Sequence, residues 1–276
     1  AETMGLPVDD IVIMPLDTDI SPFCYGSYSS RVTTVAGKAV YLAVQKVRAQ
    51  LLELAAQKMN TRAEQLDISD GVIYNRLDPG SRLRVAEVCQ YGIRTRAASA
   101  LTAYVTYDPP TEGTDSTFFG DYSSAYTYGA HGVEVEVDTV TGQVKLLRVV
   151  ASHDVGAVIN VNGVIGQING GVAQGAGWAL YENQVHKNGI PQNTSLRNYI
   201  IMTIKDMPKI ESILVETNDP IGPYGAKGIG EPTLIPTAPA IANAIEDAVG
   251  IRLTSIPITA EALFWALQAK AKERGK

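Results

Sequence analysis

Glu231 stands at the end of the run Pro223-Tyr224-Gly225-Ala226-Lys227-Gly228-Ile229-Gly230-Glu231-Pro232. A carboxylate offered on a short loop can act as a general base. The glycines around it let backbone come close to a bulky ligand. Pro232 suits the first position of a helix, where a missing N–H costs nothing. The run therefore predicts a helix opening behind Glu231, with the carboxylate near the positive end of its dipole. The other reading is a capped helix with a solvated Glu, and the pattern alone does not separate the two.

Two further stretches hold candidate ligand contacts. Ser27-Tyr28-Ser29-Ser30-Arg31 sets several hydroxyls and a guanidinium ahead of a long helical pattern. Such a loop can donate hydrogen bonds to an anion, or it can serve only as cap and turn. In residues 160–181, Gly163, Gly166, Gly170, Gly171, Gly175 and Gly177 punctuate a second helical pattern. Glycine inside a helix costs about 1 kcal/mol against alanine, so something must pack very close, another backbone or a cofactor. Gln167 and Gln174 are the polar side chains there that could hydrogen-bond such a ligand. His153 beside Asp154 could be an acid–base pair or a metal ligand. With His131 and His186 far off in sequence and no second acidic cluster near, His153 reads as structural.

The elements that must position these residues read as an α+β chain. Val40, Val44, Val47, Leu51 and Leu54 form one apolar stripe and predict a helix over 34–59. Segments 11–15 and 101–107 read as strands, and 82–91 as a short helix. Val133, Val135 and Val137 alternate with Glu134, Glu136 and Asp138, which predicts a half-buried strand returning as 145–151 in a hairpin. A strand follows at 212–216. Ala238, Ile241, Ala242, Ile245 and Val249 make a helix that Gly250 stops. The last helix covers 259–274, with Gly275 placed to end it. This order lacks the regular alternation of a doubly wound fold. Two lobes are expected: residues 1–150 with the Ser-rich loop, and 151–276 with the Gly-rich helix and the Glu231 loop.

Composition narrows the partners. The chain has 276 residues, 45% hydrophobic, with a net charge of −6. The charge argues against nucleic acid as a main partner. No apolar run reaches the length of a membrane span, and no basic-then-apolar signal segment opens the chain. Cys24 and Cys89 form no C-x-x-C, which excludes a zinc or iron–sulfur site on the usual spacing; two buried thiols are expected. The opening Ala-Glu-Thr-Met-Gly-Leu-Pro reads as an abrupt start, as in a fragment, a processed chain or a split subunit.

Taken together, the three stretches resemble the molybdenum hydroxylase family, which includes xanthine dehydrogenase and aldehyde oxidoreductase. The resemblance covers nearly the whole chain and falls in the C-terminal half of the molybdopterin-binding subunit. Its most specific motif is Gly225-Ala226-Lys227-Gly228-Ile229-Gly230-Glu231-Pro232. It implies two intertwined α+β lobes with the cofactor between them. It implies Glu231 as the catalytic base beside molybdenum, which the pterin holds without direct protein ligands. It implies cofactor contacts from Ser27, Tyr28, Ser29, Ser30, Arg31, Gln167, Lys227, Gly228 and Gly230. The implied reaction is hydroxylation of an aromatic heterocycle or aldehyde with water as oxygen source. The alternatives are reductive dehydroxylation of an aromatic acyl-CoA, since Ser-Tyr-Ser-Ser-Arg-Val-Thr is nearest the 4-hydroxybenzoyl-CoA reductase branch, and a non-catalytic scaffold subunit. The cofactor would be molybdopterin, with its cytosine dinucleotide form as an option. The family's upstream Gly-Gly-x-Phe-Gly and Gln-Gly segments are not in this sequence. The resemblance therefore implies a partner chain carrying the N-terminal half, an iron–sulfur subunit and, as an option, a flavin subunit with FAD, in the cytoplasm.

Overall fold

In the computed structural model, residues 1–97 and 100–274 are described; Gly275 lies outside the described residues. The chain packs as two compact units, Ala1–Gly26 with Val35–Pro110, and Ser27–Thr34 with Thr111–Lys276. Residue 150, the expected lobe boundary, lies in mid-strand within the second unit, and the Ser-rich loop is counted with that unit too.

The first unit sets helix α1 (Gly37–Met59) and helix α2 (Val85–Thr95) with an antiparallel sheet of β1 (Leu66–Ser69), β2 (Val72–Asn75) and β3 (Arg82–Arg84). The C-terminal half of the α1 stripe makes the core: Leu51, Leu52, Leu54 and Ala55 bury against Leu66, Ile68, Ile73 and Val88. A wide π turn, Val32–Ala36, precedes α1, so the regular helix begins later than its apolar pattern suggests. Asn60 ends it in the left-handed region at φ 49°, which asparagine tolerates. The segment predicted as one helix from residue 82 divides at Arg84. Glu87 accepts the Arg84 N–H at 2.7 Å and starts α2 there, which leaves Arg82–Arg84 to the sheet. Residues 11–15 and 101–107 form no regular element and join no ladder among the described residues. Their β-rich composition has no neighbouring strand to pair with.

The second unit is built on the hairpin β4 (Gly129–Val137) and β5 (Val144–Asp154), paired antiparallel. Helix α3 (Val161–Leu180) carries the chain across, past a small hairpin of β6 (His186–Lys187) and β7 (Ile190–Pro191), to β8 (Lys209–Val215), which pairs with β5 in parallel. A parallel neighbour requires such a crossover. Helices α4 (Thr237–Val249) and α5 (Ala260–Arg274) close the unit. One core cluster joins Leu146 of β5 to Ala176 and Leu180 of α3, Ile241 and Ile245 of α4, and Leu263 of α5. A second joins Val149, Ala151 and Val155 to Ile168 and Val172 of α3 and to Ile229. The fold is α+β. Both cysteines are free, and Cys24 is exposed rather than buried, because its segment runs over the surface. Among the described residues no helix is long and apolar enough to cross a membrane.

Candidate active site

Glu231 sits where the second unit gathers three segments. Its loop is anchored from behind: Gly222, Pro223, Ala226, Gly228 and Ile229 are buried, while Gly230 and Glu231 are exposed. Asp219 Oδ1 accepts the N–H groups of Ile221 and Gly222 at 2.8 and 3.2 Å, and the Lys227 N–H donates to Val155 O at 2.9 Å. Glu231–Thr233 is a single 3-10 turn, and α4 begins only at Thr237. The continuous helix expected behind Glu231 is therefore interrupted. Pro236 disfavours helical geometry at the residue before it, so the turn cannot run straight into α4. The carboxylate is held by a side chain instead of by a long helix dipole.

That side chain is Ser30. Its hydroxyl donates to Glu231 Oε2 at 3.0 Å and accepts the Glu231 N–H at 2.9 Å. Ser29 and Ser30 both take φ 51°, and Gly26 takes φ 100°. Consecutive left-handed residues other than glycine carry strain and persist only where their surroundings hold them. Here Gly228 does the holding: a methyl group at that position would overlap the Ser30 carbonyl. Arg31 stacks its guanidinium over the Tyr28 ring, 5.6 Å from the centroid.

Gln167 arrives from α3. Asn160 caps that helix by accepting the Gly163 N–H at 2.8 Å. Ile168 and Val172 share a core cluster with Ile229, which sets α3 against the Glu231 loop and leaves Gln167 exposed. A Cβ placed on Gly230 would lie 3.6 Å from both Gln167 Oε1 and Ser30 Oγ. Ser30, Gln167, Gly230 and Glu231 thus converge on one small exposed area. Ser27, Tyr28 and Ser29 are exposed on the same loop as Ser30.

Lys227 has a different employment. Its side chain is 9% exposed, and its Nζ pairs with Asp154 Oδ2 at 2.7 Å and donates to Tyr126 O at 2.9 Å. Burial alone would raise the Asp154 carboxyl; Lys227, the Gly156 N–H and the Thr217 hydroxyl outweigh it and hold the carboxyl below its ordinary value. The Lys227 charge is answered by Asp154 rather than by Glu231, so it locks the loop to the end of β5.

One contact escaped the sequence reading. His131 and His153 face each other across the hairpin with Nε2 atoms 2.8 Å apart and rings edge to face. His153 is fully buried. Burial, and then the His153 ring, push His131 down to about 4; burial pushes His153 down as well. The turn alone does not give this contact: it pairs Val137 with Val144 and Val135 with Leu146, and a bulge between Glu134 and Val135 then shifts the register so that His131 meets Ala151 and Gly129 meets His153. The glycines of α3 were also read too broadly. Gly171 packs on Thr233 and Gly175 on Thr237, so these two serve helix packing, whereas Gly166 and Gly170 face open space.

The site has hydroxyls, an amide, a carboxylate and backbone at glycine. Among the described residues no three His, Cys, Asp or Glu side chains are grouped to hold a metal. This donor set fits a metal brought in by its own organic ligand. The family model described as "Molybdopterin cofactor-binding domain" matches residues 1–208. The chain belongs to this family. It is 32% identical over 269 residues to a putative xanthine dehydrogenase molybdenum-binding subunit of Escherichia coli K12, covering 96% of this chain and 34% of the relative. It is 31% identical over 276 residues to the gamma subunit of the 6-hydroxypseudooxynicotine dehydrogenase complex of Paenarthrobacter nicotinovorans, covering 99% and 34%. Its structure matches quinoline 2-oxidoreductase from Pseudomonas putida 86 with a TM-score of 0.81 at 29% identity, over 96% of this chain and 34% of the other. The chain spans about a third of the length of the relatives it matches, in their C-terminal portion. Membership in the molybdopterin-binding family accounts for the α+β fold.

Proposed function

We propose that this chain supplies the general-base side of a molybdopterin site in a multi-subunit oxidoreductase that hydroxylates an aromatic heterocycle or aldehyde, with water as oxygen source. The observation that carries the reading is the convergence of Ser30, Gln167 and Gly230 on Glu231. Ser30 and its neighbours Ser27, Tyr28, Ser29 and Arg31, with Gln167, Gly228 and Gly230, would hold the cofactor through hydroxyl, amide and backbone groups. When bound, its molybdenum supplies the redox centre that takes up the substrate's electrons. Ser30 orients the Glu231 carboxylate by donating to one of its oxygens. Glu231, exposed at the loop tip, takes the proton of the attacking water. Lys227 acts at one remove, by fixing the loop to Asp154.

Partners complete the site in this reading: a chain with the remaining length of the relatives, an iron–sulfur subunit and a flavin subunit, in the cytoplasm. Large apolar side chains stand exposed in each unit, Val12, Ile13 and Phe23 in the first and Phe118, Phe119 and Tyr122 in the second. Exposed apolar surface of that kind marks interaction sites. The cytosine dinucleotide form of the pterin is part of the same proposal.

Glu231→Gln tests it in the assembled complex. Turnover should fall by about 10²-fold or more, the range of a lost general base, while molybdenum and pterin content stay at the wild-type level. Turnover near the wild-type rate would remove Glu231 from the chemistry, and a purified complex without molybdenum or pterin would favour a scaffold role.

A further inference from the structure

The His131–His153 pair is not used by the chemistry above, yet it reaches the loop that carries it. His131 Nδ1 lies 3.1 Å from Thr237 Oγ1, at the start of α4. The Thr237 N–H donates to Leu234 O at 3.2 Å, and the Leu234 N–H donates to Glu231 O at 3.1 Å. Two consecutive turn bonds therefore connect the threonine that His131 holds to the backbone of Glu231. Thr233 adds a third tie through its hydroxyl, which donates to Gly230 O at 2.7 Å.

The protons in this chain can be assigned by elimination. His153 Nδ1 is buried and has no hydrogen-bond partner among the described residues. Its ring edge lies over Gly129, where an added Cβ would come within 2.5 Å of Nδ1. A buried N–H with no acceptor is rarer and worse than an under-used acceptor. A neutral imidazole carries one proton, so that of His153 belongs on Nε2. The bond at 2.8 Å then has His153 as donor and His131 Nε2 as acceptor. The remaining proton of His131 is then on Nδ1, facing Thr237 Oγ1, and the donor left over is the freely rotating Thr237 hydroxyl rather than a ring N–H fixed in place.

We propose that His153 Nε2–H donates to His131 Nε2 and His131 Nδ1–H donates to Thr237 Oγ1, and that this directional chain is a positioning device for the Glu231 loop. Protonating His131 puts two N–H donors face to face at the Nε2 contact and breaks it, whereas protonating His153 puts a buried N–H on Nδ1 with no acceptor among the described residues. Charged groups on the surrounding elements are engaged elsewhere or point away. Asp154 is tied to Lys227, Glu211 to Arg148 and Lys209, Glu246 to Arg252, and Glu231 to Ser30. Glu134 and Glu136 lie on the exposed face of β4, Lys145 on an exposed position of β5, and Asp247 on the exposed side of α4; α3 carries no charge. Nothing facing the pair favours a charged ring. Because the folded state lowers the histidine pKa, the stability from the neutral pair is fully present above the ordinary value of about 6.5. It is lost as pH falls toward the folded value of His131, about 4.

The positional half rests on the reading of Glu231 as base; the proton assignment does not. The test is long-range ¹H–¹⁵N correlation spectroscopy on the assembled protein, with this full chain labelled at histidine, between pH 8 and pH 5. The expected result is His131 protonated on Nδ1, the less common tautomer of a free imidazole, and His153 protonated on Nε2, both neutral throughout. His131 with its proton on Nε2, or charged at pH 7, overturns the assignment without any variant being made. His131→Leu should speed amide exchange at Leu234 and Thr237 by roughly tenfold, and His131→Gln, with an acceptor and a donor on one amide, should restore most of it. Unchanged exchange in the Leu variant overturns the positioning role. Glu231→Gln should leave both tautomers as they are, so the two readings fail separately.

Discussion

Gly171 and Gly175 of α3, like Gly222 and Gly228 of the Glu231 loop, are places where a methyl group has no room, but different atoms fill them. On α3 the closest atoms belong to the side chains of Thr233 and Thr237, with the backbone carbonyls of Thr233 and Leu234 just behind them. In the loop the neighbours are backbone carbonyls, Ala226 O at Gly222 and Ser30 O at Gly228. The helix uses glycine to bring two elements together. The loop uses it to hold a strained backbone in one shape. The closest atoms on α3 can turn in part, whereas the loop carbonyls lie nearer and move only with their chain, so the loop should tolerate less change. The same α3 carries a third kind, Gly166 and Gly170, with open space where their side chains would be.

Substitutions can break or sharpen that contrast. Gly228→Ala should have the largest effect. Its methyl group meets the Ser30 carbonyl, and overpacking of this kind costs about 3 kcal/mol. Chemical denaturation should show that loss, and the Ser30 bond to Glu231 should weaken with it. Gly171→Ala should cost less, about 1–2 kcal/mol, because its closest contact is the Thr233 hydroxyl, which can turn, while the Thr233 carbonyl carbon 2.6 Å away keeps the loss from vanishing; the readout is the same unfolding midpoint. Gly170→Ala should move the other way and stabilise by about 0.5–1 kcal/mol, because alanine favours the helix and nothing obstructs it. Equal losses at Gly228 and Gly171 would erase the distinction between carbonyl and side-chain partners. A loss at Gly170 would show that the open face is covered.

Much of the second unit was legible because its signals are local. The alternation of Val133, Val135 and Val137 placed β4, and the spacing of Ile241, Ala242 and Ile245 placed α4. Glu231 was legible as a residue, through its glycines and proline and through a family resemblance. What holds it was not. Ser30 has no local feature that aims it at a position 201 residues away. Pro232 looked like the start of a helix, but Pro236, four residues on, stops it from becoming one. Lys227 stood as a cofactor contact through the family resemblance alone; its pairing with Asp154, 73 residues away, has no local signal. Residues 11–15 and 101–107 have strand composition, and composition cannot say whether a neighbour exists. The His131–His153 contact was hidden as well, since counting from the turn sets the two rings on opposite faces and only the bulge between Glu134 and Val135 brings them to one.

The bond between Ser30 and Glu231 also bears on the order in which the protein forms. It closes a loop of 201 residues, while the β4–β5 hairpin closes through a short turn. Loop-closure entropy must be met before so distant a contact returns anything. Hairpin and helices can therefore be in place while the carboxylate still lacks its hydroxyl partner. A chain that has oriented Glu231 has finished folding its second unit, and a chain interrupted on the way would have native secondary structure without a site.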